Sequence, residues 1–113
     1  VELAEIQTAA ELAVESDDPL ERGLAVYNTS GCGGCHAIEG ISVGVVGPAL
    51  SQIATVAATR VDGYSAEEYL RESIANPSAY LVESYDDLML KTFADSISDS
   101  QFEDLIAFLL AQE

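Results

Sequence analysis

The chemistry most easily read from this sequence sits in one run of residues, Cys32-Gly33-Gly34-Cys35-His36. Two thiols with two residues between them can close a disulfide, form half of a metal site, or add across the two vinyl groups of a haem. The adjacent histidine separates these readings. In C-x-x-C-H the paired thioethers match the spacing of the vinyls, and the following imidazole falls under the iron as proximal ligand. Gly33 and Gly34 would let the backbone pass the macrocycle edge without a Cβ clash. A structural zinc site needs about four ligands, whereas the whole chain offers two cysteines and one histidine. A thioredoxin-like dithiol asks for a βαβ setting, and no segment here shows strand alternation of useful length. The expected chemistry is one haem held by Cys32 and Cys35, with His36 on its iron.

The residue opposite His36 is less determined. His36 is the only histidine, so a second imidazole from this chain is excluded, and Met89 is the only methionine. A lone methionine fills cores more often than it binds metal. No acid–base pair, activated nucleophile or phosphate loop accompanies the motif, and with His36 engaged no imidazole remains for a catalytic triad.

Helices must position these groups. Residues 1–18 read as an acidic amphipathic helix, with Leu3, Ile6, Ala10, Ala13 and Val14 near one face. Asp18-Pro19 ends that stretch and opens a second helix to about residue 30, with Asp18 as N-cap and Leu20, Leu24 and Tyr27 inward. Gly31, Gly33, Gly34, Gly40, Gly44 and Gly47 mark the following segment as a loop. A short helix is expected after Pro48, running through Leu50, Ile53 and Val56. Ser65 to Glu68 and Ser98 to Gln101 have capping-box spacing. They predict a helix from 65 to just before Asn76-Pro77, and a last helix burying Phe102, Leu105, Ile106, Phe108, Leu109 and Leu110. Residues 78–97 show no clean period and are expected to be loop. The fold class is all-α, with no internal repeat. Helices this short make a thin core, which a large apolar group at the centre would complete.

Composition narrows the partners. Of the 113 residues 49% are apolar, enough for one compact domain. Twenty acidic residues against four basic ones give a net charge of −16, which repels nucleic-acid phosphates and anionic lipid. No apolar run is long enough to span a membrane. No basic segment followed by an apolar one resembles an export signal, so any such signal is expected to lie outside these residues.

Residues 19–112 resemble a class I cytochrome c. Gly47-Pro48-Ala49-Leu50 is similar to that family's G-P-x-L, in which the proline carbonyl accepts from the proximal imidazole. Gly23 and Tyr27 resemble its small-then-aromatic pair, and Leu105, Ala107, Phe108 and Leu109 its C-terminal helix pattern. The resemblance implies a cytochrome c fold over 19–113, with residues 1–18 as an added helix or tether. It also implies a single-electron carrier in a respiratory or photosynthetic chain. Met89 lies in the irregular segment before the last helix, where the family supplies its sixth ligand, and a thioether there favours Fe(II). The family commonly places proline after that methionine, and this chain has Leu90. The alternative is a haem enzyme or gas sensor with an absent or displaceable sixth ligand.

The resemblance further implies propionate donors in the segment holding Arg60, Gln52, Tyr64 and Tyr69, with Arg60 and Tyr64 foremost. Glu39, Asp86 and Asp87 would border the haem edge. The implied partners are redox proteins with a basic or apolar docking patch: an oxidase, a quinol-oxidising complex or a small copper protein. Thioether attachment implies the periplasm or the outer face of the cytoplasmic membrane. The stretch from Asn76-Pro77 through Met89 is similar to monohaem subunits of bacterial respiratory complexes such as alternative complex III. The copper-site cysteines of an oxidase subunit are missing.

Overall fold

A computed structural model describes residues 16–113. The expected acidic helix over 1–18 lies almost wholly outside the described residues. Helix α1 (Pro19–Thr29) starts where the sequence indicates: the Asp18 carboxylate accepts from the Leu20 amide at 2.9 Å, and Pro19 occupies the first turn. Gly23, Ala25, Val26 and Tyr27 are buried. Leu20, expected inward, is 44% exposed in the first turn of α1, whose buried residues begin at Gly23.

That partner is α4 (Asp99–Leu110), opened by a complete capping box between Ser98 and Gln101. The crossing is close enough that a Cβ on Gly23 would stand 2.1 Å from the Asp104 carbonyl oxygen and 2.5 Å from Phe108 Cβ. Tyr27 and Phe108 meet there with ring centroids 5.5 Å apart. Arg22 forks onto Asp104 across the same crossing, Nε to Oδ2 at 2.9 Å and Nη2 to Oδ1 at 3.2 Å.

Between these helices the chain forms α2 (Ile53–Arg60) and α3 (Ala66–Ala75), with Ser65 and Glu68 capping α3 reciprocally. α2 begins later than its apolar spacing implies. Leu50 is held instead by its amide bond to the Ala37 carbonyl at 2.7 Å, and Val56 is 39% exposed. Among the described residues the one departure from an all-helical reading is a minimal hairpin, β1 (Ala37–Ile38) antiparallel to β2 (Ser42–Val43), pairing Ala37 with Val43 and Ile38 with Ser42. Two-residue strands are too short to show alternation in sequence. Beyond α3, short 3₁₀ turns at Pro77–Ala79 and Phe93–Ser96 interrupt the expected loop, and Phe93 is buried. The core joins Val26, Tyr27, Ile53, Leu70, Ile74, Leu105 and Leu109 from the four helices of the described residues.

Candidate functional site

One cavity of ≈ 350 Å³ opens between these elements. It is lined by Cys32, Cys35, His36, Pro48, Arg60 and Met89 together with apolar side chains including Leu70, Phe93 and Leu105. Segments far apart in sequence therefore converge on a single site.

The histidine side is tightly built. His36 Nδ1 lies 2.7 Å from the Pro48 carbonyl oxygen. A carbonyl only accepts, so Nδ1 donates and carries the proton, which leaves Nε2 of the neutral ring with a free lone pair. Gly47 stands against the same ring: a Cβ there would be 2.6 Å from Cε1 and 2.9 Å from Nδ1. Its amide donates to the Cys35 carbonyl at 2.7 Å, fastening the loop across the attachment motif. The His36 carbonyl accepts from Ser42 Oγ at 2.8 Å and from the Tyr27 hydroxyl at 3.1 Å, and Ile38 N donates to Ser42 Oγ at 3.0 Å. The short hairpin thus positions the motif. Ser42 carries no sequence signal, because its role depends on a register that two-residue strands do not advertise.

The thiols are free. Burial pushes the Cys32 thiol up to about 11, so this thiol is a poor nucleophile at neutral pH. Gly33 also packs closely on the hairpin, since a Cβ there would meet Ser42 Cβ at 2.8 Å.

The lining also includes Met89, half-buried and packed against the core. Arg60 also lines the cavity, and its Nη1 donates to the Tyr69 hydroxyl at 3.0 Å. Tyr69 lines it too. Tyr64 does not: its hydroxyl donates to Glu72 Oε2 at 2.9 Å, one turn along α3. That contact holds the Tyr64 proton and raises its pKa. Gln52 is exposed at the start of α2 and also lies off the lining. Of the acidic residues, Asp86 and Asp87 border the cavity and Glu39 does not. Among the described residues no group of three or more His, Cys, Asp or Glu side chains is placed to hold a metal ion, which disfavours the zinc reading.

The family model of cytochrome c matches residues 20–113. The chain belongs to the cytochrome c family. It is a haem-binding electron carrier with the cytochrome c fold, and the cofactor is covalent haem c. No curated protein matches the chain. The residues of this cytochrome c fit the group its family carries. An apolar cavity receives a macrocycle, free thiols stand on one edge, and an imidazole with a free Nε2 lone pair stands beside them. Among the described residues no helix is long and apolar enough to cross a membrane.

Proposed function

We propose that Cys32 and Cys35 form the two thioethers, that His36 and Met89 are the axial ligands, and that the protein shuttles single electrons without catalysing substrate turnover. The observation that carries this reading is the convergence of His36 and Met89 on one apolar cavity, with His36 Nδ1 already committed to Pro48. A bound haem c supplies the Fe(III)/Fe(II) couple. The chain's own residues do the rest. Pro48 fixes the tautomer and orientation of His36 and raises its basicity, and Met89 favours the ferrous state. The apolar walls exclude water, so the change of iron charge demands little solvent reorganisation. Arg60 and Tyr69 are the donors available to a propionate from this wall, in place of Tyr64.

The docking face is read from charge and exposure. All four basic side chains are engaged, Arg22 with Asp104, Arg71 with Glu67 and Glu103, Lys91 with Asp87, and Arg60 with the Tyr69 hydroxyl. Among the described residues most of the remaining carboxylates are exposed. Near the attachment motif Val43 is 88% exposed and Val45 82%, and on the cavity rim Leu88 is 67% exposed. A redox partner with a basic rim around an apolar centre fits this surface, as an oxidase, a quinol-oxidising complex or a small copper protein of a respiratory or photosynthetic chain would present. Haem attachment of this type supports a location in the periplasm or on the outer face of the cytoplasmic membrane, free or as the haem domain of a larger complex.

Optical spectra of the purified oxidised and reduced protein, alongside Met89→Ala, test the reading. A weak far-red band of thioether-ligated ferric haem, lost in the variant, and a reduced wild-type spectrum indifferent to CO are expected. Ready CO binding by the wild type would instead assign an open sixth position and a ligand-binding or enzymatic role.

A further inference from the structure

The two sides of the cavity are held in different ways. Around His36 the chain is fastened by backbone bonds and by the Tyr27–Ser42 hydroxyl network. The Met89 segment has no such lattice. Between Tyr80 and Lys91 the backbone–backbone bonds outside helices and strands are Tyr85 N to Val82 O at 3.1 Å and Leu88 N to Asp86 O at 3.0 Å, both local. Side chains replace them at one residue. Asp87 accepts from Ser78 Oγ, with Oδ2 at 2.9 Å, which ties the segment to the 3₁₀ turn after α3. The other face of Asp87 pairs with Lys91 Nζ. Lys91 Nζ also donates to the Met89 carbonyl at 3.2 Å and to the Asp87 carbonyl at 3.4 Å. Met89 therefore sits in a turn whose two ends are joined by an ion pair, and whose start is bonded to the fixed body of the protein.

We propose that Asp87 is the positioning residue for Met89, acting through a clamp from Ser78 to Asp87 to Lys91 that keeps the thioether at the haem face. This rests on the assignment of Met89 as sixth ligand. The clamp also accounts for the tolerance of Leu90 directly after Met89. A proline would restrict that turn through its fixed φ, and here the restriction comes from charge-assisted bonds closing the turn around the ligand.

An external ligand such as imidazole must displace the thioether to reach ferric iron. Its apparent affinity thus rises by the factor by which the Met-on state is weakened. Spectrophotometric imidazole titrations on the holoprotein are compared for wild type, Asp87→Asn, Ser78→Ala, the double variant and Glu39→Gln. Glu39→Gln makes the same charge change on an exposed acid off the cavity lining. Loss of one or two such bonds is expected to raise imidazole affinity about 3- to 10-fold in Asp87→Asn and about 2- to 5-fold in Ser78→Ala. The double variant should match Asp87→Asn, because both changes open one clamp. The far-red band should weaken in parallel while its thermal unfolding stays near that of Glu39→Gln. An Asp87→Asn affinity no higher than that of Glu39→Gln, with the far-red band intact in both, overturns the clamp alone. A Met89→Ala spectrum identical to wild type overturns the ligand assignment and the clamp with it.

Discussion

Replacing Gly47 by alanine tests the construction of the histidine side most directly. The added Cβ would lie 2.6 Å from His36 Cε1, and restoring ordinary contact at 3.4 Å requires the ring or the loop to retreat by about 0.8 Å. Neither moves freely. The loop is fastened by the Gly47 amide to the Cys35 carbonyl at 2.7 Å, and the ring by Nδ1 to the Pro48 carbonyl at 2.7 Å. Retreat of the ring by that amount would stretch the Pro48 bond beyond hydrogen-bonding range. Overpacking costs about 1–3 kcal/mol, and the lost hydrogen bond about 0.5–1.5 kcal/mol more. Gly47→Ala should therefore lose about 2–4 kcal/mol in a denaturant titration of the holoprotein. Its reduction potential should shift as well, because the weakened Pro48 contact changes imidazole basicity. Glu39→Gln, at an exposed position off the cavity lining, is the control. If Gly47→Ala unfolds at the same denaturant concentration as Glu39→Gln and keeps the wild-type potential, the packing of Gly47 on His36 is refuted.

Two further outcomes follow from the same geometry. Gly23→Ala would drive its Cβ to 2.1 Å from the Asp104 carbonyl oxygen on α4, so a loss at or above the upper end of about 1–3 kcal/mol is expected by urea unfolding. Wild-type stability in that variant would mean the helices do not cross this closely. The Glu103 carboxyl is held below its ordinary value of 4.5 by the Arg71 guanidinium, which bonds both its oxygens at 2.6 Å. The folded state binds that proton less readily than the unfolded chain. The ion pair's contribution is therefore complete above the unfolded value and disappears as pH falls through the lower folded value. Subtracting the stability of Glu103→Gln from that of wild type should give a difference that is constant at neutral pH and vanishes in acid. Curves that stay parallel through the acid range would show that the pair contributes nothing.

What the sequence determined by itself is what depends on neighbours a few positions apart. The C-x-x-C-H run is a local covalent pattern, and its reading requires no fold. Asp18-Pro19, Ser65 with Glu68, and Ser98 with Gln101 start helices through bonds spanning two or three residues, and each is formed as its spacing indicates. The family's Gly-Pro pair after the motif was likewise legible, and its proline carbonyl stands on the His36 ring. The tertiary structure decided everything that joins distant segments. Tyr64 turns to Glu72 while Tyr69 takes the cavity wall with Arg60, a choice made by contacts between α2, α3 and the segment joining them that no spacing encodes. Ser42 gains its role only because a two-residue strand pair carries its hydroxyl under the His36 carbonyl. Asp87 and Lys91 have the spacing of a helical ion pair yet lie in a turn, where that spacing predicts no contact until the chain has folded. Local signals specify bonds whose loop-closure cost is small. Contacts between distant residues form only when the whole core has closed and has already met that entropy.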